Sequence, residues 1–233
     1  MISVVAFDAD DTLWHTESLF VETQARLVAI LERYASHAEV MARLQLTEQR
    51  NLALFGYGVK GFILSMVETA IEISRRRVQA GEIHEIMMMG KAMLDAPLTL
   101  LDGVVPTLDQ LAGRHRLFLI TKGDLLDQSN RIEKSGLAGR FDHVEVVSRK
   151  DPATYRRIFA AQGVAPEEVM MVGNSVPSDI LPVIEIGGFG VHIPYAVTAE
   201  FERHRELPRH ERFHQLSRIG EVPALVRKLA RRG

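Results

Sequence analysis

The stretch Ile2-Ser3-Val4-Val5-Ala6-Phe7-Asp8-Ala9-Asp10-Asp11-Thr12-Leu13-Trp14 decides how the rest of the chain is read. A short apolar run rich in β-branched residues predicts a buried strand, and it stops abruptly at acids spaced one residue apart. In open parallel α/β sheets, ligands bind at the carboxyl ends of the strands, so Asp8 and Asp10 are candidate functional residues. A strand running into an acidic, solvated turn is the competing reading, and the remainder of the chain separates the two.

Outward from Leu13 the pattern changes to helical spacing, with Leu19, Phe20, Thr23, Leu27, Ile30 and Leu31 on one face and Glu22, Arg26, Glu32 and Arg33 opposite. Further helices are expected over 40–44, 47–54, 61–80 and 84–94, with breaks at Gly56, Gly58 and Gly81. From about residue 16 to residue 96 no strand is expected. Met87, Met88, Met89 and Met93 are expected to pack the core of this helical unit, where flexible thioethers fill irregular gaps.

From Pro97 apolar strands alternate with helices, the mark of βαβ units and a parallel sheet. Strands are expected at 116–120, 144–147, 169–172 and 190–193, and helices at 104–112, 125–134, 152–161, 178–186 and 222–231. Residues 198–218, rich in Arg, His and Glu, are expected to form a solvated surface segment. The fold class is therefore α/β: a Rossmann-like parallel sheet core, residues 1–15 and 97–233, interrupted by an all-helical insertion over residues 16–96.

Composition narrows the function. The 233 residues are 46% hydrophobic, enough for a proper core. With 28 basic against 30 acidic residues, and a formal charge of -2, no global basic field recruits nucleic acid. The absence of cysteine excludes disulfides, thiolate catalysis and cysteine-ligated zinc. The first apolar run is too short for a signal peptide or a membrane span, so a cytoplasmic protein without membrane partners is expected.

The strand ends carry particular polar residues: Asp8 and Asp10, then Thr121-Lys122-Gly123, then Lys150, then Gly173-Asn174-Ser175 with Asp179. Right-handed crossovers would bring all of these to one edge of the sheet. Carboxylate oxygens there suit a hard cation such as Mg²⁺, and a hydroxyl, turn amides and an ammonium suit a phosphoryl group.

Through Asp8-Ala9-Asp10-Asp11-Thr12-Leu13, the strand ending at Thr121, Lys150, and Gly173-Asn174-Ser175-Val176-Pro177-Ser178-Asp179, the chain resembles the haloacid dehalogenase (HAD) superfamily of phosphohydrolases. The match covers the whole α/β part, and the helical insertion looks like the cap domain that many members place after the first motif. The resemblance implies Asp8 as the nucleophile forming an aspartyl-phosphate, and Asp10 as the acid and then the base. It implies Mg²⁺ held by Asp8, the backbone carbonyl of Asp10 and the fourth motif with Asn174 and Asp179. Thr121 and the amides of Lys122 and Gly123 would bind phosphate, and Lys150 would hold both the phosphate and Asp8. The implied activity is Mg²⁺-dependent hydrolysis of a small soluble phosphate monoester. A phosphotransferase or mutase on the same phosphoenzyme is the alternative, and a 2-haloacid dehalogenase is disfavoured by Asp10, because a halide leaving group needs no proton.

Several neighbours have humbler readings. Asp11 is expected to belong to the turn, Asp124 to cap a helix, and Ser175 and Ser178 to stabilise their loop. Arg149 competes with Lys150 for the same role, and His192 is expected to be structural. Asn174 stands where the related phosphatases commonly have aspartate, so Asp179 is expected to carry more of the metal binding. In the insertion, Tyr57 and Lys60 of the Gly56–Gly61 loop are candidate substrate contacts alongside Trp14 and His15, with an ordinary interhelical turn as the competing reading.

Overall fold

In the computed structural model, which describes residues 1–196 and 207–230, strand β1 (Val4–Phe7) lies inside a six-stranded sheet. The other strands are β2 (Arg116–Lys122), β3 (His143–Val147), β4 (Val169–Gly173), β5 (Phe189–His192) and β6 (Phe213–Gln215). Their order is β3-β2-β1-β4-β5-β6 and every pairing is parallel. The chain steps outward from β1 through β2 to β3, then returns to the other side of β1 for β4, β5 and β6. The reversal makes the carboxyl ends of β1 and β4 the switch point at which such sheets open a crevice.

The helices are α1 (Glu17–Leu31), α2 (His37–Phe55), α3 (Val59–Ile73), α4 (Ala80–Asp95), α5 (Val104–Leu111), α6 (Leu125–Lys134), α7 (Pro152–Ala161), α8 (Leu181–Glu185) and α9 (Val222–Ala230). Alternation along the strands feeds two cores. Val5, Phe7, Leu117, Leu119, Met170 and Val172 pack with Leu108 of α5 and Val226 of α9. Val4, Ala6, Phe118, Ile120 and Met171 pack on the opposite face with Tyr155, Ile158 and Phe159 of α7. Strands covered on both faces lose the polar-apolar alternation of a half-exposed strand, which is why β1 reads as one continuous apolar run. Among the described residues no helix is long and apolar enough to cross a membrane.

The chain divides into two compact units, one of residues 1–17, 98–122 and 128–233, the other of residues 18–97 and 123–127. The second unit has its own core, built from Leu27, Leu31, Leu44, Phe62, Met66, Ile86 and Met89 among others.

Local differences from expectation have identifiable causes. Residues 40–54, read as two helices, belong to the continuous α2: Ser36 and Glu39 close a capping box at its start, and nothing breaks it before Gly56. The helix expected to reach residue 80 ends at Ile73, where Arg75 and Arg76 turn left-handed (φ 53° and 64°) without any glycine to announce it. Gly81 is no break, since it sits in the first turn of α4. Of the methionines there, Met89 and Met93 are buried while Met87 and Met88 are about half exposed (49% and 45%), because only one face of a helix can turn inward. The helix expected from residue 178 begins instead as a π-helical turn over Val176–Ile180, leading into α8. Within 198–218, residues 198–206 lie outside the described residues. Residues 213–215 are not a featureless surface segment but the edge strand β6, whose Phe-His-Gln composition carries no apolar run.

Candidate active site

Parallel pairing sets the ends of β1, β2 and β4 on one edge of the sheet, with Phe7 beside Leu119 and Val172. Asp8 follows directly, its backbone N–H bonded to the Val172 carbonyl at 2.9 Å. Lys150 reaches it from beyond β3: Nζ lies 2.5 Å from Oδ1 of Asp8 and 2.6 Å from Oδ1 of Asp179. The neighbouring Arg149 is exposed, so geometry favours Lys150 over it. Asp151 caps α7 by accepting the Thr154 N–H at 2.8 Å, which fixes the backbone that delivers the lysine.

Asp179 is fully buried and its second oxygen accepts the Ser175 N–H at 3.0 Å. Gly173 makes room for it, since a Cβ at that position would overlap the Asp179 carboxylate. Asn174 accepts a hydrogen bond from the Thr12 hydroxyl at 3.3 Å, and its carbonyl oxygen lies 3.0 Å from Nε2 of His192. Burial lowers the pKa of His192, so its neutral ring holds this loop as a structural group. Ser175 and Ser178 also serve the loop: the Ser175 hydroxyl accepts the Ser178 N–H, and the Ser178 carbonyl accepts from Tyr155.

Thr121 is buried at the end of β2, and among the described residues its hydroxyl has no partner. A buried unpaired hydroxyl costs about 1–3 kcal/mol, so its position suits a ligand oxygen. Lys122, still within β2, donates from Nζ to the Ser178 hydroxyl at 3.0 Å. Gly123 then adopts φ 153°, a turn conformation open to glycine, and Asp124 accepts the Asp127 N–H at 3.0 Å as a helix-capping residue does.

Asp10 is held from several directions. Its Oδ1 accepts from the Trp14 indole at 2.8 Å and the Thr16 hydroxyl at 2.6 Å, its Oδ2 from the Gln128 amide at 2.7 Å, and Arg131 stands 3.6 Å away. Gln128 and Arg131 escaped the sequence reading, because a polar residue on an amphipathic helix carries no mark of what it faces. Trp14 is wholly buried, a core residue with one polar duty rather than an open substrate contact. Asp11 is the turn residue expected, with φ 59° and a carboxylate that accepts the N–H groups of Thr16 and Glu17. Burial pushes its carboxyl up to about 6 against the pull of those two donors.

The electrostatics of the buried cluster ask for a cation. Two carboxylates share one ammonium, and the Asp8 carboxyl is pushed up to about 8 by burial and by Asp179, with Lys150 opposing. Lys150 is itself shifted upward: burial disfavours its charge, but Asp179 and Asp8 outweigh that cost. Asp8 and Asp179 meet on that ammonium through carboxylate oxygens, the donor type that a hard cation such as Mg²⁺ takes. Among the described residues there is no group of three Asp, Glu, His or Cys side chains that could hold a metal ion. Mg²⁺ needs none, because it keeps several waters.

In the helical unit, Lys60 pairs with Asp124 at 2.9 Å, so its ammonium already has a carboxylate partner, and Gly56 and Gly58 make the turn before α3 with φ 70° and 112°.

A model of the haloacid dehalogenase-like hydrolases matches residues 2–187. The chain belongs to the haloacid dehalogenase-like hydrolase family. Over 99% of its length and 93% of the other, this HAD-like hydrolase is 39% identical, with a TM-score of 0.90, to a haloacid dehalogenase-like family hydrolase from Xanthomonas campestris. At 16% identity and a TM-score of 0.62 it shares its fold with a predicted phosphoglycolate phosphatase from Haemophilus somnus, covering 97% and 98% of the two chains. At 18% and 0.65 it shares it with an L-2-haloacid dehalogenase from Xanthobacter autotrophicus, covering 97% and 99%. No curated protein matches the sequence of this HAD-like hydrolase at a significant level.

Proposed function

We propose that this hydrolase cleaves small phosphate monoesters through an aspartyl-phosphate on Asp8, with Mg²⁺ as its metal. The observation that carries this reading is Asp10, a carboxylate two residues beyond Asp8 and held in place by three hydrogen bonds. An alkoxide leaving group needs a proton at that point and a halide does not, so a fixed acid favours ester cleavage over carbon-halogen cleavage.

A carboxylate oxygen of Asp8 attacks phosphorus in line as the bond to the ester oxygen breaks, and Asp10 gives its proton to that oxygen. Asp10 then takes a proton from water as the water oxygen attacks phosphorus and the bond to Asp8 breaks. Lys150 fixes the Asp8 carboxylate and offsets the charge of the phosphoryl group, while the Thr121 hydroxyl and the amides of Lys122 and Gly123 receive its oxygens. Mg²⁺, held by Asp8, the Asp10 carbonyl, Asn174 and Asp179, would supply the positive charge that lets an anionic nucleophile meet an anionic phosphate. The substrate is a small soluble ester; neither nucleic acid nor a membrane surface is a partner in this reading.

The test is a panel of phosphate esters and 2-haloacids, with Mg²⁺ and with chelator, scored for free phosphate, halide and transfer to added alcohols. Phosphate release that chelator abolishes and Asp8→Asn eliminates is expected. Halide release without phosphate release would overturn the proposal, and phosphate recovered only on an acceptor would reassign the enzyme as a phosphotransferase.

A further inference from the structure

From the same site, and resting on the phosphatase reading, we infer that Gln128 of α6 is a positioning residue that selects Oδ2 of Asp10 as the oxygen that carries the proton. The two carboxylate oxygens are not equivalent. Oδ1 accepts from both Trp14 Nε1 (2.8 Å) and Thr16 Oγ1 (2.6 Å), which uses both of its lone pairs. Arg131 reinforces this: Nη1 donates to Thr16 Oγ1 at 3.2 Å, so that hydroxyl accepts from the guanidinium and gives its single proton to Asp10.

Oδ2 differs. Among the described residues its one hydrogen-bond partner is Gln128 Nε2 at 2.7 Å, which leaves a lone pair open for a proton bound for the ester oxygen. The same amide lies 3.4 Å from the carbonyl oxygen of Lys122, at the end of the strand that carries Thr121. Gln128 therefore ties the acid to the strand end that would receive the phosphate, and fixes the direction in which the open lone pair points. A neutral amide suits this task because it orients the oxygen without the full charge that an ammonium or guanidinium would bring. The side chain is almost wholly buried, and among the described residues its own Oε1 has no partner. That unsatisfied oxygen has a cost, and it persists because the amide nitrogen is needed on the other side.

Methionine is close in size to glutamine, forms helices as well, and removes both the donor and the orphaned acceptor, so Gln128→Met should fold. The experiment compares wild type, Gln128→Met, Asp10→Asn and the double variant on p-nitrophenyl phosphate, phenyl phosphate and an alkyl phosphate. A misdirected acid costs most where the leaving group most needs its proton. We expect kcat on the alkyl ester to fall about 10- to 100-fold in Gln128→Met, with p-nitrophenyl phosphate changed less than about threefold. In the Asp10→Asn background the same substitution should be silent on every ester, since Gln128 acts through Asp10.

A uniform loss across the esters, or an equal loss in both backgrounds, would show Gln128 to be structural and overturn the inference. No loss on any ester would overturn it too. If wild type released no phosphate from any of them, the phosphatase reading itself would fall and the role of Gln128 with it. An active wild type with parallel behaviour of the variant would sink the role alone.

Discussion

The Asn174 side chain accepts a 3.3 Å bond from Thr12 and brings no charge to a site that already holds Asp8 and Asp179. If Mg²⁺ binds there, Asn174→Asp should tighten it. A charged partner in place of a neutral one is commonly worth about 1 kcal/mol extra, so the gain should be several-fold, roughly tenfold at most. Calorimetric titration with Mg²⁺ measures this directly, and an unchanged affinity would mean that this loop does not hold the metal. Turnover at saturating Mg²⁺ should fall, because the added charge repels the incoming phosphate. At this scale the sequence was legible where residue type and strand context agreed: Asp8, Lys150 and Asp179 meet within hydrogen-bond reach although 142 positions separate the first two. It was silent on Gln128 and Arg131, whose contacts depend on the angle at which one helix meets a loop from the far end of the chain.

Helix α2 shows what a single cap can do for an element. The Ser36 side chain accepts the Glu39 N–H, the Glu39 carboxylate accepts the Ser36 N–H at 2.9 Å, and that partnership holds the Glu39 pKa below its ordinary value. Ser36→Ala should destabilise the first turn by about 1 kcal/mol, seen as roughly fivefold faster amide exchange over residues 38–41, with recovery in Ser36→Asn. Unchanged exchange would mean that tertiary packing, through contacts such as Asn51 to Ser65, holds the helix without its cap. Strands of the sheet were easy to recognise because burial on both faces writes them as apolar runs. The helical unit was harder, since Arg75 and Arg76 end α3 in a conformation that sequence assigns to glycine or asparagine. β6 was missed because a three-residue edge strand needs only backbone pairing, not an apolar signature.

For the molecule as a whole, charge is nearly balanced and pH acts through a few groups that are partly or wholly buried. Burial pushes the Glu48 carboxyl up to about 7 from its ordinary 4.5. A carboxyl raised on folding keeps a proton that the unfolded chain releases, so stability falls as pH rises between those two values. Glu48→Gln should therefore melt higher than wild type at pH 8 and alike at pH 4, with equal melting at both values counting against a strained carboxylate. The topology has a consequence of another kind, in the order of synthesis. β1 leaves the ribosome well before either of its neighbours in the sheet, the earlier of which, β2, pairs Arg116 with Val4. At roughly 5–20 residues per second the nascent strand waits about 6–22 s before that partner is made. Throughout that interval an apolar, β-prone segment with both edges open waits for its partner, so a chaperone acting during synthesis would have a client site at Val4–Phe7.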